Sequence, residues 1–142
     1  MNDLILMSIK TEYANQIFNG TKIFEYRKKS IGQNNLNKKV IIYSSEKEKA
    51  IIGYILIDKI LEGNLKTILS ETNINNSISI INYFNNAKKC YAMHIKEYHR
   101  FKSPITLNEM RKIDNNIVIP QYYRYIKEQE PLYKEINKRL DT

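Results

Sequence analysis

The sequence has few of the residues from which proteins build covalent or metal-centred sites. Its 142 residues include one cysteine and two histidines, so an internal disulfide is excluded and a zinc site built by the protein is not expected. It has neither a Walker-type phosphate loop nor a G-x-G-x-x-G segment. The apolar opening "LILMSI" is too short for a signal-peptide core or a membrane span. We therefore expect a soluble, cytoplasmic protein without a metal or cofactor.

The chain is long enough for one domain with one hydrophobic core, and we expect residues 1–142 to form it. Its formal net charge is +8, and residues 88–102 carry a surplus of +4 within that total. A clustered basic surplus favours a polyanionic partner. The alternative is that a lysine-rich surface serves solubility alone.

The spacing of apolar residues predicts a mixture of strands and helices. Gly53, inside the fourth strand, predicts a bulge or a sharp bend, and Thr11 is a candidate cap for the first helix. The fold class is α+β, and the element order suggests a small mixed β-barrel of five or six strands flanked by helices. Strands are predicted at 3–10, 22–27, 39–45, 50–61 and 90–101, and helices at 11–20, 64–86, 103–110 and about 130–140, the last packed on the barrel.

One octet carries the most specific pattern in the chain. "GTKIFEYR", residues 20–27, reads G-x-K-x-x-E-x-R and resembles the signature of the ASCH domain family, a branch of the PUA-like barrels. The likeness continues in order through "VIIYSS", "IIGYILIDKILEG", "CYAMHIKEYHRFKSPITL" and "IPQYYRYI" and covers residues 4–126. The resemblance implies a PUA-like barrel with a cleft beside the first helix, and a role in binding RNA, nucleotides or other nucleic-acid components.

The resemblance also implies two kinds of chemistry. Some small ASCH proteins resemble amidohydrolases that act on acetylated cytidine, and others resemble nucleases. In the amidohydrolase branch a threonine nucleophile stands where this chain has Glu25, and the lysine aligns with Lys22. Glutamate cannot act as a hydroxyl nucleophile, so the chain departs from that branch. It also has Thr11 where many relatives have proline.

The residues of the octet suggest a binding site in their own right. Glu25 and Arg27 are two apart, so on a strand they project from the same face. If that face lines a cleft, Arg27 can orient Glu25 or bind phosphate; alternatively, the pair only fixes the fold or faces water. Lys22, just after the predicted helix, can meet a phosphate as a compact charge. The full set of candidate ligand-binding residues is Lys10, Lys22, Glu25, Arg27, Tyr43, Ser44 and Tyr123.

Three hypotheses about function follow. The leading one is an RNA- or nucleotide-binding protein with a cleft around the octet, in which tyrosines 122, 123 and 125 can stack on bases. The second is a small hydrolase acting on a modified nucleoside or on RNA, with Lys22 and Glu25 as catalytic acid/base partners. The third is a protein-interaction or regulatory module. His94 is interpreted as a satisfied core histidine and His99 as a solvated one.

Overall fold

The computed structural model describes residues 3–74 and 77–141. Its strands are β1 (Leu4–Lys10), β2 (Phe24–Arg27), β3 (Lys39–Ser45), β4 (Ala50–Gly63), β5 (Cys90–Thr106) and β6 (Tyr123–Ile126). Its α-helices are α1 (Thr11–Phe18), α2 (Leu65–Glu71), α3 (Ile78–Phe84), α4 (Leu107–Ile113) and α5 (Pro131–Leu140), with a 3-10 turn at Gln33–Asn35. Within the described residues, no helix is both long and apolar enough to cross a membrane.

The six strands form one mixed sheet in the order β2-β5-β4-β3-β1-β6. β1 pairs in parallel with β3, whereas β1–β6, β2–β5 and β3–β4 are antiparallel. The α+β class and the flanking helices are therefore confirmed. Closure into a barrel is not confirmed, because β2 and β6 stand at the two ends of the strand order.

The chain divides into two compact units. Unit 1 contains the described residues of Met1–Lys22, Lys38–Leu56 and Glu97–Thr142, and unit 2 contains those of Ile23–Asn37 and Ile57–Lys96. The boundary falls inside two long strands, since β4 and β5 each contribute residues to both units. The expectation of one domain over residues 1–142 stays a prediction.

The core of unit 1 forms between its strands and the helices α4 and α5. β1 and β3 are central strands and are apolar almost throughout, which suits strands that are buried on both faces. Leu132 and Ile136 of α5, spaced i and i+4, are both fully buried. The cluster consists of Leu6, Ile41, Tyr43, Ile51, Phe101, Ile105, Met110, Ile126, Leu132 and Ile136.

The core of unit 2 is smaller and more aromatic. Tyr26 and Phe84 meet edge to face, with ring centroids 6.4 Å apart, and Ile68, Cys90 and Ala92 complete the cluster. Cys90 is fully buried, and burial raises the pKa of its thiol. The lone cysteine is therefore part of the packing.

Two predicted segments differ from the structure. In the stretch 64–86, of which residues 75 and 76 lie outside the described residues, the described parts form two short helices, α2 and α3. Asn64 and Ser77 each cap a helix start by accepting a backbone N–H. "SPITLNEM" was predicted to begin a helix, but β5 continues through Pro104 to Thr106. Thr106 then caps α4 by accepting the N–H of Glu109 at 3.1 Å. The Ser-Pro dipeptide predicted a helix start that lies a few residues later, at Leu107.

The irregularity predicted at Gly53 is present. The β3–β4 register shifts between Ile42, which pairs with Gly53, and Tyr43, which pairs with Ile51. A Cβ on Gly53 would lie 2.2 Å from the carbonyl oxygen of His99 and 2.9 Å from the Phe18 ring. Glycine is therefore required here by the close approach of another backbone.

We expect Gly53→Ala to lower the free energy of unfolding by about 1–3 kcal/mol, the usual cost of overpacking a filled site. Gly63→Ala is the matched control in the same strand, because its Cβ would meet only the side chain of Thr67, at 3.1 Å. Urea unfolding followed by circular dichroism measures both. Equal stability of Gly53→Ala and the parent would contradict the assignment.

Candidate functional site

The octet is shared between the two units. Gly20, Thr21 and Lys22 end the first segment of unit 1, and residues 23–27 begin unit 2. The structure therefore describes Lys22 within unit 1 and the Glu25–Arg27 pair within unit 2. That all three line one opening stays a prediction, as do the ligand-binding roles proposed from the sequence.

The end of α1 fixes the backbone that carries Lys22. The N–H of Thr21 donates to the carbonyl of Gln16, and that of Gly20 donates to Ile17. This is a Schellman motif, and Gly20 supplies its left-handed residue with φ of +85°. The Lys22 N–H also donates to Gln16. The Lys22 ammonium lies 5.5 Å from the ring centroid of Tyr13 on α1, within cation–π range.

Glu25 and Arg27 contact each other as their spacing predicted. Arg27 Nε donates to Glu25 Oε2 at 2.7 Å, and the side chains are 17% and 6% exposed, respectively. β2 is held in this position by antiparallel pairing with β5, where Glu25 faces Met93 and Arg27 faces Tyr91. The carboxylate is the more buried partner of this ion pair.

A hydroxyl network joins the start of α1 to the end of β3. Thr11 Oγ1 donates to the carbonyl of Ser45 at 2.6 Å and accepts from Ser44 Oγ at 2.9 Å and from the Glu48 N–H at 3.1 Å. Thr11 is thus the first residue of α1 rather than its cap. Ser44 is fully buried, and Thr11 supplies its hydroxyl with a hydrogen-bond partner. The exposed Lys10 lies 3.7 Å from Glu46.

The two tyrosines of the predicted set differ in exposure. Tyr43 is 4% exposed and belongs to the unit 1 core; burial raises the pKa of its hydroxyl, an effect that the charge of Arg111 opposes. Tyr123 is half-buried, and burial raises its pKa with a smaller contribution from Tyr125. Its ring meets those of Tyr122 and Tyr125 edge to face, at 4.9 and 6.2 Å.

Arg124, the cation within the tyrosine-rich segment 122–125, forms an ion pair with Glu130. Arg124 Nη1 donates to Glu130 at 3.0 Å, and its Nε donates to the carbonyl of Val118. Arg124 therefore fastens β6 to the segment before it and to the start of α5. The base-stacking role predicted for these tyrosines stays a prediction.

The histidines lie in different surroundings from each other. His94 Nδ1 lies 2.7 Å from Asp58 Oδ1, and both side chains are 34% exposed, so the interpretation as a core histidine is wrong. Its ring also meets Phe24, its partner across the β2–β5 pair, at 5.2 Å. His99 is 52% exposed, as predicted, and pairs with Glu97 at 3.1 Å. No group of three potential metal ligands occurs within the residues that the structure describes.

The sequence analysis named the charged residues and histidines but missed two aromatic residues that contact them, Tyr13 and Tyr54. Tyr13 could have been suspected, because the Gly20 helix end turns the chain back toward the helix that carries it. The stacking of Tyr54 on His99, at a centroid distance of 4.8 Å, depends on strand pairing between distant segments. The sequence around either residue does not predict such a contact.

We expect Arg27→Ala to lower the free energy of unfolding by about 1–3 kcal/mol, because it removes a charged hydrogen-bond partner of a buried carboxylate. Lys10→Ala is the control: it breaks an exposed pair with Glu46, worth about 0–1 kcal/mol. Glu25→Gln should fall between them, since the amide keeps the shape and still accepts from Arg27. Thermal and urea unfolding test the order, and equal effects of the two cation deletions would contradict it.

Comparison with known proteins agrees with this architecture. The chain is 25% identical over 128 residues to an ASCH domain-containing ribonuclease from Zymomonas mobilis, covering 88% of this chain and 85% of the relative. The crystal structure of ASCH from Zymomonas mobilis superposes with a TM-score of 0.79 at 23% identity, over 94% of each chain. A tyrosine-to-phenylalanine mutant of that protein gives 0.80 at 23% identity, over 94% of this chain and 96% of the other.

A more distant structure shares the fold. The N-terminal domain of McrB from Staphylothermus marinus superposes with a TM-score of 0.61 at 15% identity, covering 96% of this chain and 93% of the other. The ASCH domain profile itself matches residues 7–105, which span β1 to nearly the end of β5 and include the octet. This chain therefore belongs to the ASCH domain family.

Proposed function

We propose that this protein binds single-stranded RNA through basic side chains of the octet, and that it acts on RNA as a ribonuclease. The observation that carries the proposal is the similarity, over 88% of the chain, to an ASCH domain-containing ribonuclease. The net charge of +8 supports a polyanionic partner.

The geometry supports specific roles for two cations. The Lys22 ammonium sits above the Tyr13 ring, and the Arg27 guanidinium is oriented by Glu25. An arginine oriented by a carboxylate presents its guanidinium in a fixed direction, and hydrogen bonds between a guanidinium and phosphate oxygens are strong because both groups are charged. Lysine and arginine contacts of this kind bind the sugar-phosphate backbone and carry little sequence information.

Hydrolysis of an acetylated nucleoside is the less favoured activity. Glu25 has no hydroxyl and is 5% exposed, which leaves it poorly placed to attack an amide. Its burial also argues that it orients Arg27 rather than taking a substrate proton. RNA cleavage requires no nucleophile from the protein when the ribose 2′-hydroxyl attacks the adjacent phosphate.

We expect RNA affinity to fall steeply between about 50 and 200 mM salt, because phosphate neutralisation releases counterions. Lys22→Gln should weaken binding several-fold for all sequences alike and reduce the slope of log K against log salt by about 0.7, the value for one single-strand phosphate contact. Lys134→Gln is the matched control, an exposed lysine on α5. Fluorescence anisotropy with a labelled oligonucleotide measures both. Absence of binding at micromolar protein would overturn the proposal.

Cleavage is tested with an end-labelled RNA beside the DNA of the same sequence. We expect the RNA to be cut and the DNA to survive, and a single 2′-deoxy substitution to protect the bond that follows it. Lys22→Gln, purified in parallel, should lose activity together with affinity, which separates the protein's own activity from a contaminating ribonuclease. Release of acetate from acetylated cytidine, without RNA cleavage, would favour the amidohydrolase instead.

A further inference from the structure

Three side chains from neighbouring strands of unit 1 form an aromatic and cationic cluster outside the octet. Lys39 of β3, Tyr54 of β4 and His99 of β5 are its members, and we call them the Tyr54 cluster. The rings of Tyr54 and His99 stack, with centroids 4.8 Å apart and planes inclined by 25°. The Lys39 ammonium lies 5.3 Å from the Tyr54 centroid.

The cluster is anchored at one end and open to solvent at the other. Tyr54 is partly buried and packs on the unit 1 core, and its backbone is fixed opposite Ile41 in the β3–β4 register. The His99 side chain is 52% exposed, and its Nε2 lies 3.1 Å from Glu97. One face of the imidazole stacks on Tyr54 and one edge lies at the Glu97 carboxylate, so the solvent-exposed half of the side chain is the part that another flat group can reach.

We propose that the solvent-exposed part of His99 is a stacking site for one base of single-stranded RNA, with Lys39 meeting an adjacent phosphate. The inference rests on the proposed function and adds a second contact surface to it. Base stacking on an aromatic ring tolerates any sequence, because every base presents a flat π-face. A ring already stacked on a fixed tyrosine is held in place for such a contact.

The charges around the cluster favour RNA over a protein partner. Lys39 itself is a cation, and the exposed Lys38 precedes it in the chain, against the single carboxylate of Glu97 that contacts the cluster. Arg100 does not add to this charge, because its guanidinium lies over the Phe18 ring instead. None of the cluster residues is among the exposed large hydrophobic side chains of the described chain, so an apolar protein surface would gain little here. A polyanion with flat rings fits both properties.

The test compares His99→Ala with His99→Tyr for binding of single-stranded RNA by anisotropy. We expect His99→Ala to weaken binding about tenfold, within the range for loss of one stacked base, and His99→Tyr to stay within about twofold of the parent because a ring remains. His94→Ala is the matched control: it removes the second histidine, which pairs with Asp58 in unit 2, and should bind like the parent. Lys39→Gln should reduce the salt dependence.

An abasic oligonucleotide of the same length separates stacking from charge. The parent and His99→Ala should bind it equally, since it offers phosphates but no bases. If the parent binds RNA steeply with salt and His99→Ala binds equally well, the stacking site is wrong and the proposed function stands. Equal weakening by His99→Ala and His99→Tyr, on RNA and abasic strand alike, also overturns it, and a parent that binds no RNA overturns both.

Discussion

The parallel pairing of β1 with β3 is the constraint on which the rest of the structure depends. Parallel neighbours cannot be joined by a hairpin, so the connection between them must leave the pair and return. Residues 11–38 form this crossover, and they include α1, β2 and the 3-10 turn. The octet lies within it. At the start of the crossover, the Thr11 hydroxyl donates to the carbonyl of Ser45 at the end of β3. This hydrogen bond links the carboxyl ends of the two parallel strands.

Burial divides the octet into residues with different tasks. Gly20 allows the left-handed turn that ends α1, and Glu25 is buried and accepts from Arg27. These two residues shape the backbone and orient a guanidinium. Lys22 and Arg27 are the cations of the octet, and their ligand-binding roles belong to the proposed function. The structure thus shows that at least Gly20 and Glu25 of the octet serve the fold.

The sequence predicted the elements whose signals are local. β1, α1 and β3 were found from apolar spacing, the helix end from Gly20, and the irregularity in β4 from Gly53. The pairing of Glu25 with Arg27 followed from strand periodicity alone. Two predictions failed where local sequence was the only guide. β5 continues as a strand through Pro104, and the His94 side chain, assigned to the core, is one-third exposed.

Contacts between distant segments could not be predicted at all. The Tyr54–His99 stack requires β4 and β5 to be neighbours in one register, and nothing near either residue specifies that register. The same holds for closure of the sheet. Five strands and a bend are compatible with a barrel, yet the order β2-β5-β4-β3-β1-β6 is set by pairings that only the folded chain displays.

The buried thiol of Cys90 can serve as an internal probe of local opening in the core of unit 2. It is the sole cysteine of the chain, it lies at 0% exposure beside Phe84 and Ile68 in the core of unit 2, and its raised pKa keeps it in the unreactive protonated form. A thiol reagent can therefore modify the native protein only during excursions that unpack this core. Its rate of labelling counts those excursions without any engineered probe.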